Sequence, residues 1–466
     1  MSTYFLRKSL ARFIAEAEGS GKHALRRALG PLDLVLLGIG GIIGTGIFVL
    51  SGVAAVDHAG PAVVASFVVA GVACALAGLC YAEFATLIPI SGSAYSYAYA
   101  TLGELVAWVI GWDLVLEYAV AASTVASGWS GYVRVMLEGM GWSLPHALAY
   151  APTEATGAIV NLPAFGIILA ITALLVLGIR ESARFNSIIV ALKLGVVLFV
   201  IAAGFGYVDP PNWQPFAPFG WNGIMAGAAL VFFAYIGFDS VTTAAEESRH
   251  PERDMPIGIL GSLAICTLLY IAVSAIVTGM VPLSEIDRAA PLAAAFRSVD
   301  FDFAANLISL GAIVGLPSVL LVLLLGQSRI FFAMSRDGLL PPFFGRIHPR
   351  FRTPHVSTML VGAAVALIAA VAPLKALAEL VSIGTLFAFV LVSIGVIVLR
   401  RVAPDLRRPF RCPWVPWVPL AAAAACIYMM LSLPGATWIR FVVWLVAGIF
   451  IYFLYGRRHS RLLEAE

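Results

Sequence analysis

Residues 38–48 read Gly38-Ile39-Gly40-Gly41-Ile42-Ile43-Gly44-Thr45-Gly46-Ile47-Phe48. Five glycines fall within nine positions, and each is about 1 kcal/mol worse than alanine in a helix interior. The stretch nevertheless lies inside an apolar run of membrane-spanning length, residues 33–53. Gly40 and Gly44 form a GxxxG pattern, which by itself describes a close helix-packing surface. Packing does not call for Gly44-Thr45-Gly46 in addition. That cluster predicts a helix that unwinds and turns its backbone toward a cavity.

The composition around it agrees with a membrane setting. Of 466 residues, 61% are hydrophobic and 12% are charged, against about 25% charged in soluble domains. Soluble globular and disordered chains are both excluded. Apolar runs of spanning length fall near 33–53, 62–84, 103–127, 160–179, 184–206, 222–245, 257–281, 304–327, 356–373, 377–399, 414–432 and 438–456. They predict an all-α membrane protein of twelve transmembrane helices, the third and eighth carrying amphipathic extensions. No ten-residue alternating segments point to a β-barrel. The five cysteines show no C-x-x-C spacing and read as reduced, buried small side chains.

The net charge of +3 is too small to indicate nucleic acid as a partner. Its distribution is more informative. Twenty-three of the 29 Lys and Arg fall in the tails and on one set of loops, and five fall on the other. The asymmetry predicts that both termini are cytoplasmic.

A second interruption is expected at Phe232-Phe233-Ala234-Tyr235-Ile236-Gly237-Phe238-Asp239-Ser240. One glycine with an acid mid-membrane is a weak break signal alone. It lies five spans after the glycine-rich one, as an inverted five-plus-five repeat requires. Residues 33–206 and 207–401 would be the two repeats, 402–456 two further helices, and 1–32 and 457–466 the tails. In such an architecture half-helix N-termini receive a carboxylate and freed carbonyls an ammonium. A site of that kind suits a zwitterion, whose charges are costly to strip of water.

Several motifs resemble the amino acid–polyamine–organocation permeases. They are GIGGIIGTGIF in the first span, YAEFATLIPISGSAYSYAY at 81–99 and FFAYIGFDSVTTAAEE at 232–247. His250-Pro251-Glu252-Arg253-Asp254-Met255-Pro256, SRDGLLP at 335–341 and PDLRRPFRCPWVPWVP at 404–419 look like the cationic amino acid transporter family and its bacterial relatives. The resemblance covers about 27–456. It implies a leucine-transporter-like fold with discontinuous helices 1 and 6, in a bacterial cytoplasmic membrane. By the same resemblance, Ile42, Gly44, Thr45 and Gly46 hold the substrate carboxylate and part of the amine. Phe233, Ala234 and Ile236 complete amine binding, and Phe233 or Tyr235 closes the outer path. No metal or cofactor is implied. The partners would be an L-amino acid, the proton and the bilayer, with a small accessory membrane protein an allowed addition.

Ionisable residues inside the membrane are functional candidates by default. Lys193 lies about ten positions into the fifth span, too deep to snorkel comfortably. In sodium-independent relatives a lysine at this place stands where sodium-coupled relatives hold sodium. It would join the fifth helix to carbonyls of spans one and eight and serve as a proton carrier; a static structural lysine is the alternative. Glu117 and Asp113 share a helix face by their four-residue spacing, and a structural pairing competes with a substrate or proton role. Asp239 is expected to cap the second half-helix ahead of joining a proton path. Glu83 and Glu246 read as anchors with arginine partners. Leu316-Pro317-Ser318-Val319 replaces the hydroxyl residues usual in span eight and argues against bound sodium. Residues 89–103 suit a short surface helix at a gate, and the tryptophans, among them Trp108, Trp112 and Trp444, suit interfacial anchors.

The leading expectation is a secondary transporter of L-amino acids working by alternating access. The apolar eighth span favours neutral or broad-range substrates, with arginine and lysine second. Proton symport and exchange both stay open. A membrane enzyme would need clustered nucleophiles or metal ligands in the spans, and none appears. A non-transporting sensor would usually carry a long soluble appendage.

Overall fold

The computed structural model describes residues 29–87, 93–177, 183–243, 245, 248–349 and 353–461. The basic tail before Leu29, together with Pro89–Gly92, Arg180, Glu246, Arg350 and Arg352, lies outside them. Among the described residues the chain is all-α, its one β-type contact being a bridge between Leu29 and Ser248. Seven helical stretches are long and apolar enough to cross a membrane, and five more are shorter and apolar.

The glycine-rich stretch breaks its helix. Helix α1 (Pro31–Ile42) ends where Ile43 turns extended, and helical geometry resumes with wide turns at Gly46–Leu50 and Ala55–Ala59 and an ordinary α turn, Ser51–Ala54, between them. Then follow α2 (Val63–Leu87), the short α3 (Ser93–Thr101), the 36-residue α4 (Glu104–Gly139), α5 (Leu162–Val176) and α6 (Ala183–Gly204). The second break falls between α7 (Gly220–Val231) and α8 (Phe238–Thr243). A tight 3₁₀ turn at Phe232–Tyr235 leads there into extended Ile236 and into Gly237 at φ +115°. The chain closes with α9 (Pro251–Met280), α10 (Pro291–Ser298), the 35-residue α11 (Asp302–Arg336), α12 (His355–Val371), α13 (Leu374–Val402), α14 (Trp417–Leu431) and α15 (Gly435–Ile451). The lengths of α4 and α11 match the extended third and eighth spans.

Both breaks sit inside the bundle against α2, α9 and α11, with α4 meeting the first break where Gly128 faces Thr45. Small residues set the distances. A methyl group on Gly46 would stand 2.3 Å from Ala234 Cα, and one on Gly237 would stand 2.6 Å from the Gly41 carbonyl. The two interrupted segments therefore cross backbone to backbone. All five cysteines are free and buried.

Two sequence expectations need correction. The short helix at 93–101 forms, but Tyr95, Tyr97 and Tyr99 are buried, not on the surface. Tyr95 donates to Asp337 and Tyr99 to Glu104, so this helix is held inside by its phenols. Trp108 is fully buried, and Trp112 stacks on Trp444 at 4.5 Å with reciprocal indole-to-carbonyl hydrogen bonds. These tryptophans fasten α15 to α4. Trp142, Trp414 and Trp417 are exposed, as interfacial anchors should be.

Glu83 has its arginine partners. Its buried carboxylate takes two hydrogen bonds from Arg400 (2.7 and 3.2 Å), lies 3.3 Å from Arg408 Nε, and accepts the Cys412 amide at 2.7 Å. One end of α13 is thereby fixed to α2.

Candidate substrate site

A pocket with about 560 Å³ of atom-free space, part of it open to solvent, lies between the two breaks, α4 and α11. Its wall includes Ile42, Gly44, Thr45 and Gly46 from the first break, and Phe233, Ile236 and Asp239 from the second. Glu117 joins from α4. Three of the sequence-selected residues stand just outside it. Ala234 packs on Gly46. Tyr235 is buried with its hydroxyl on the Phe67 carbonyl at 2.8 Å. Lys193 lies behind the first break.

Helix ends give this pocket its polarity. The carbonyl ends of α1 and of the α7 turn carry partial negative charge, and the amide end of the segment beginning at Gly46 carries partial positive charge. The Lys193 ammonium sits at the carbonyl end of α1, 2.7 Å from Gly40 O and 3.0 Å from Ile43 O. Its stem passes so close to Gly315 of α11 that a methyl group there would stand 2.7 Å from Lys193 Cγ. One side chain thus links α6, the first break and α11. The tie to the first break runs through carbonyls, and the stem packs on α11.

The acids separate by environment. Asp239 Oδ1 accepts the Gly237 amide at 3.2 Å and so fastens the turn that leads into α8. Tyr118 Oη lies at 3.5 Å from its other oxygen. Glu117 faces the pocket. Asp113, one turn away, is buried against Gly384 of α13, and neither of its oxygens has a hydrogen-bond partner among the described residues. The four-residue spacing puts both on one face of α4, yet they meet different neighbours. Pro317 lies inside α11 without ending it, and Ser318 turns its hydroxyl back to Gly315 O at 2.8 Å.

Sequence reading did not single out Tyr270 of α9. Its hydroxyl stands 2.8 Å from Ile42 O and 2.9 Å from Ala234 O, bridging the carbonyl ends of both interrupted segments with one proton. A lone phenol in the middle of an apolar span was the available signal. Tyr270→Phe leaves a buried carbonyl without its donor, at a cost of about 1–3 kcal/mol. The expected outcome is a lower thermal midpoint of the purified protein together with weaker substrate binding; an unchanged midpoint would show that the bridge contributes nothing. Gly41, Gly237, Tyr118 and the side wall of Ala121, Val125, Val319, Val322 and Leu323 are further lining residues.

Two crossed, interrupted helices enclosing a polar-ended pocket within a bundle of apolar spans define a membrane transport protein. Residues 29–458 match the family described as Amino acid permease. The chain is 51% identical to the methylthioribose transporter of Bacillus subtilis (strain 168), over 99% of this chain and 100% of the relative. It is 52% identical to the branched-chain amino acid permease BcaP of the same organism, over 98% of both chains. A vacuolar cationic amino acid transporter 4 of Arabidopsis thaliana is 34% identical over 96% and 94%. The chain belongs to the amino acid permease family and is a secondary transporter, not an enzyme. The cationic subfamily, expected from its motifs, is not favoured over the bacterial permeases by these relatives.

Proposed function

We propose that this protein carries neutral L-amino acids, aliphatic ones best, across a bacterial cytoplasmic membrane by alternating access, independently of sodium and coupled to protons. The observation that carries the reading is the division of the pocket. Backbone ends, with Glu117, Tyr118 and Asp239, supply the polar contacts, while Ala121, Val125, Val319, Val322 and Leu323 are an apolar lining without charge. In this reading the amides from Thr45 to Ile47 take the carboxylate, the carbonyl ends beside Ile42 and Phe233 take the ammonium, and the wall takes a branched side chain. Glu117, Asp239 and Lys193 form the proton path. The first ten of the twelve spans are arranged as two inverted five-helix repeats, the last two follow them, and both termini lie in the cytoplasm. The permease BcaP supports this substrate class.

A second reading has its own observation. Glu117, Tyr118 and Asp239 bring three hydroxyl-binding groups into the pocket beside its apolar lining. Polar side chains beside apolar ones in one pocket also suit a polyol with an apolar tail, and one close relative is named for methylthioribose. A thermal-shift panel of the twenty amino acids and methylthioribose on purified protein separates the readings. Binding at about 100 times Kd adds roughly 2.7 kcal/mol of stability. Leucine, isoleucine and valine are expected to raise the midpoint most. A shift with arginine and lysine alone would overturn the neutral assignment, and a shift with methylthioribose alone would establish the second reading. Uptake into proteoliposomes under an imposed pH gradient, with and without sodium, tests the coupling.

A further inference from the structure

Two acid-centred networks sit at opposite ends of α13, and they differ in a way that assigns them different work. At the Arg400 end, Glu83 and Arg408 are almost fully buried, and a backbone amide joins the cluster. At the Lys375 end, Asp57 accepts Nε and Nη2 of Arg288 at 3.1 and 2.9 Å and Nζ of Lys375 at 3.1 Å. Here the cations are open to water, Arg288 being 60% and Lys375 42% exposed. Asp57 lies at the far end of the interrupted first span, Arg288 in the loop before α10, and Lys375 at the start of α13. The Arg288 loop packs against the first span and α4 several residues beyond their pocket-lining positions Gly46 and Val125. A methyl group on Gly52 would stand 2.6 Å from Pro291, and one on Gly131 would stand 2.9 Å from Ala289 O.

We propose that Asp57, Arg288 and Lys375 form the releasable latch of the outer gate, with α13 held fixed at its Glu83–Arg400 end. The latch rests on the alternating-access and orientation readings above. Buried ion clusters are costly to break, whereas partly exposed pairs are weak and screened by salt. A tie that must open in every transport cycle belongs to the second kind. The triad joins three elements through one carboxylate, so a single loss of contact at Asp57 frees all three.

A single-cysteine reporter, Val125→Cys in the pocket, reads the gate through its rate of labelling by a membrane-impermeant thiosulfonate added outside oriented vesicles. The parent without the reporter measures the background of the buried native thiols. Asp57→Asn is expected to raise the external labelling rate about three- to tenfold, and the paired change Arg288→Gln with Lys375→Gln should do the same. Added salt should speed labelling of the reporter with an intact triad, a measurement that needs no second substitution, and should leave the Asp57→Asn reporter unchanged. Equal rates with and without the triad, or a salt response that survives Asp57→Asn, would overturn the latch. Failure of leucine and of methylthioribose alike to protect the reporter in every variant would instead reject the pocket and its access cycle, and the latch with them. Protection without any response to the triad rejects the latch alone.

Discussion

Replacing Lys193 by methionine is expected to abolish uptake driven by a pH gradient while leaving a folded, less stable protein. The ammonium holds Gly40 O and Ile43 O at the carbonyl end of α1, where a positive charge is favoured by the helix dipole and by the orphaned carbonyls. Methionine keeps the stem that packs on Gly315 and removes the charge together with both hydrogen bonds. Each buried carbonyl left without a donor costs about 1–3 kcal/mol, so the break should loosen without the bundle falling apart. If release of that tie is the coupling event, methionine mimics a permanently discharged lysine, and the gradient has nothing to act on. Proteoliposome uptake with and without an imposed gradient measures this, and substrate counterflow is the companion test. Counterflow should persist at a reduced rate. Full gradient-driven uptake in Lys193→Met would leave Lys193 as a static brace only.

That lysine was legible in the sequence because charge is scarce there. With 12% charged residues, one cation ten positions deep in a span is conspicuous. The first break was legible from glycine density, and the second from its place five spans later. What sequence could not give was direction. Trp108 and Trp112 have the composition of interfacial anchors, yet they face α15, because hydropathy does not say which side of a helix meets a neighbour. The tyrosines of α3 read as surface polar groups, yet their rings are buried, and the hydroxyls of Tyr95 and Tyr99 find carboxylates. Val125, Val319 and Leu323 line the pocket with the same residue types that face lipid elsewhere, so no one-dimensional pattern separates the two. Tyr270 needed a third dimension for a different reason. Its importance lies in reaching Ile42 O and Ala234 O together, and those acceptors are 228 and 36 residues away.

Among the glycines of the first break, the sequence grouped Gly44 with Gly46, and the structure separates them into different experiments. A methyl group on Gly46 would stand 2.3 Å from Ala234 Cα and 2.4 Å from its Cβ. Backbone atoms cannot rotate away, so Gly46→Ala must push the two interrupted segments apart. Overpacking of this sort costs about 1–3 kcal/mol or more, and here it also opens the crossing on which the pocket depends. On Gly44 the same methyl would meet Val319 at 3.5 Å, an ordinary contact on the pocket wall. Gly44→Ala should therefore fold at near the parental thermal midpoint and lose affinity for large side chains before small ones. Gly44→Val fills the space and should abolish binding altogether. Gly46→Ala should lower both yield and midpoint and bind no substrate of any size. Thermal midpoints and binding of glycine, alanine and leucine to the three variants decide the matter. If Gly44→Val keeps parental affinity for leucine, the carboxylate is held elsewhere. If Gly46→Ala is as stable and active as the parent, the two breaks do not meet at Ala234.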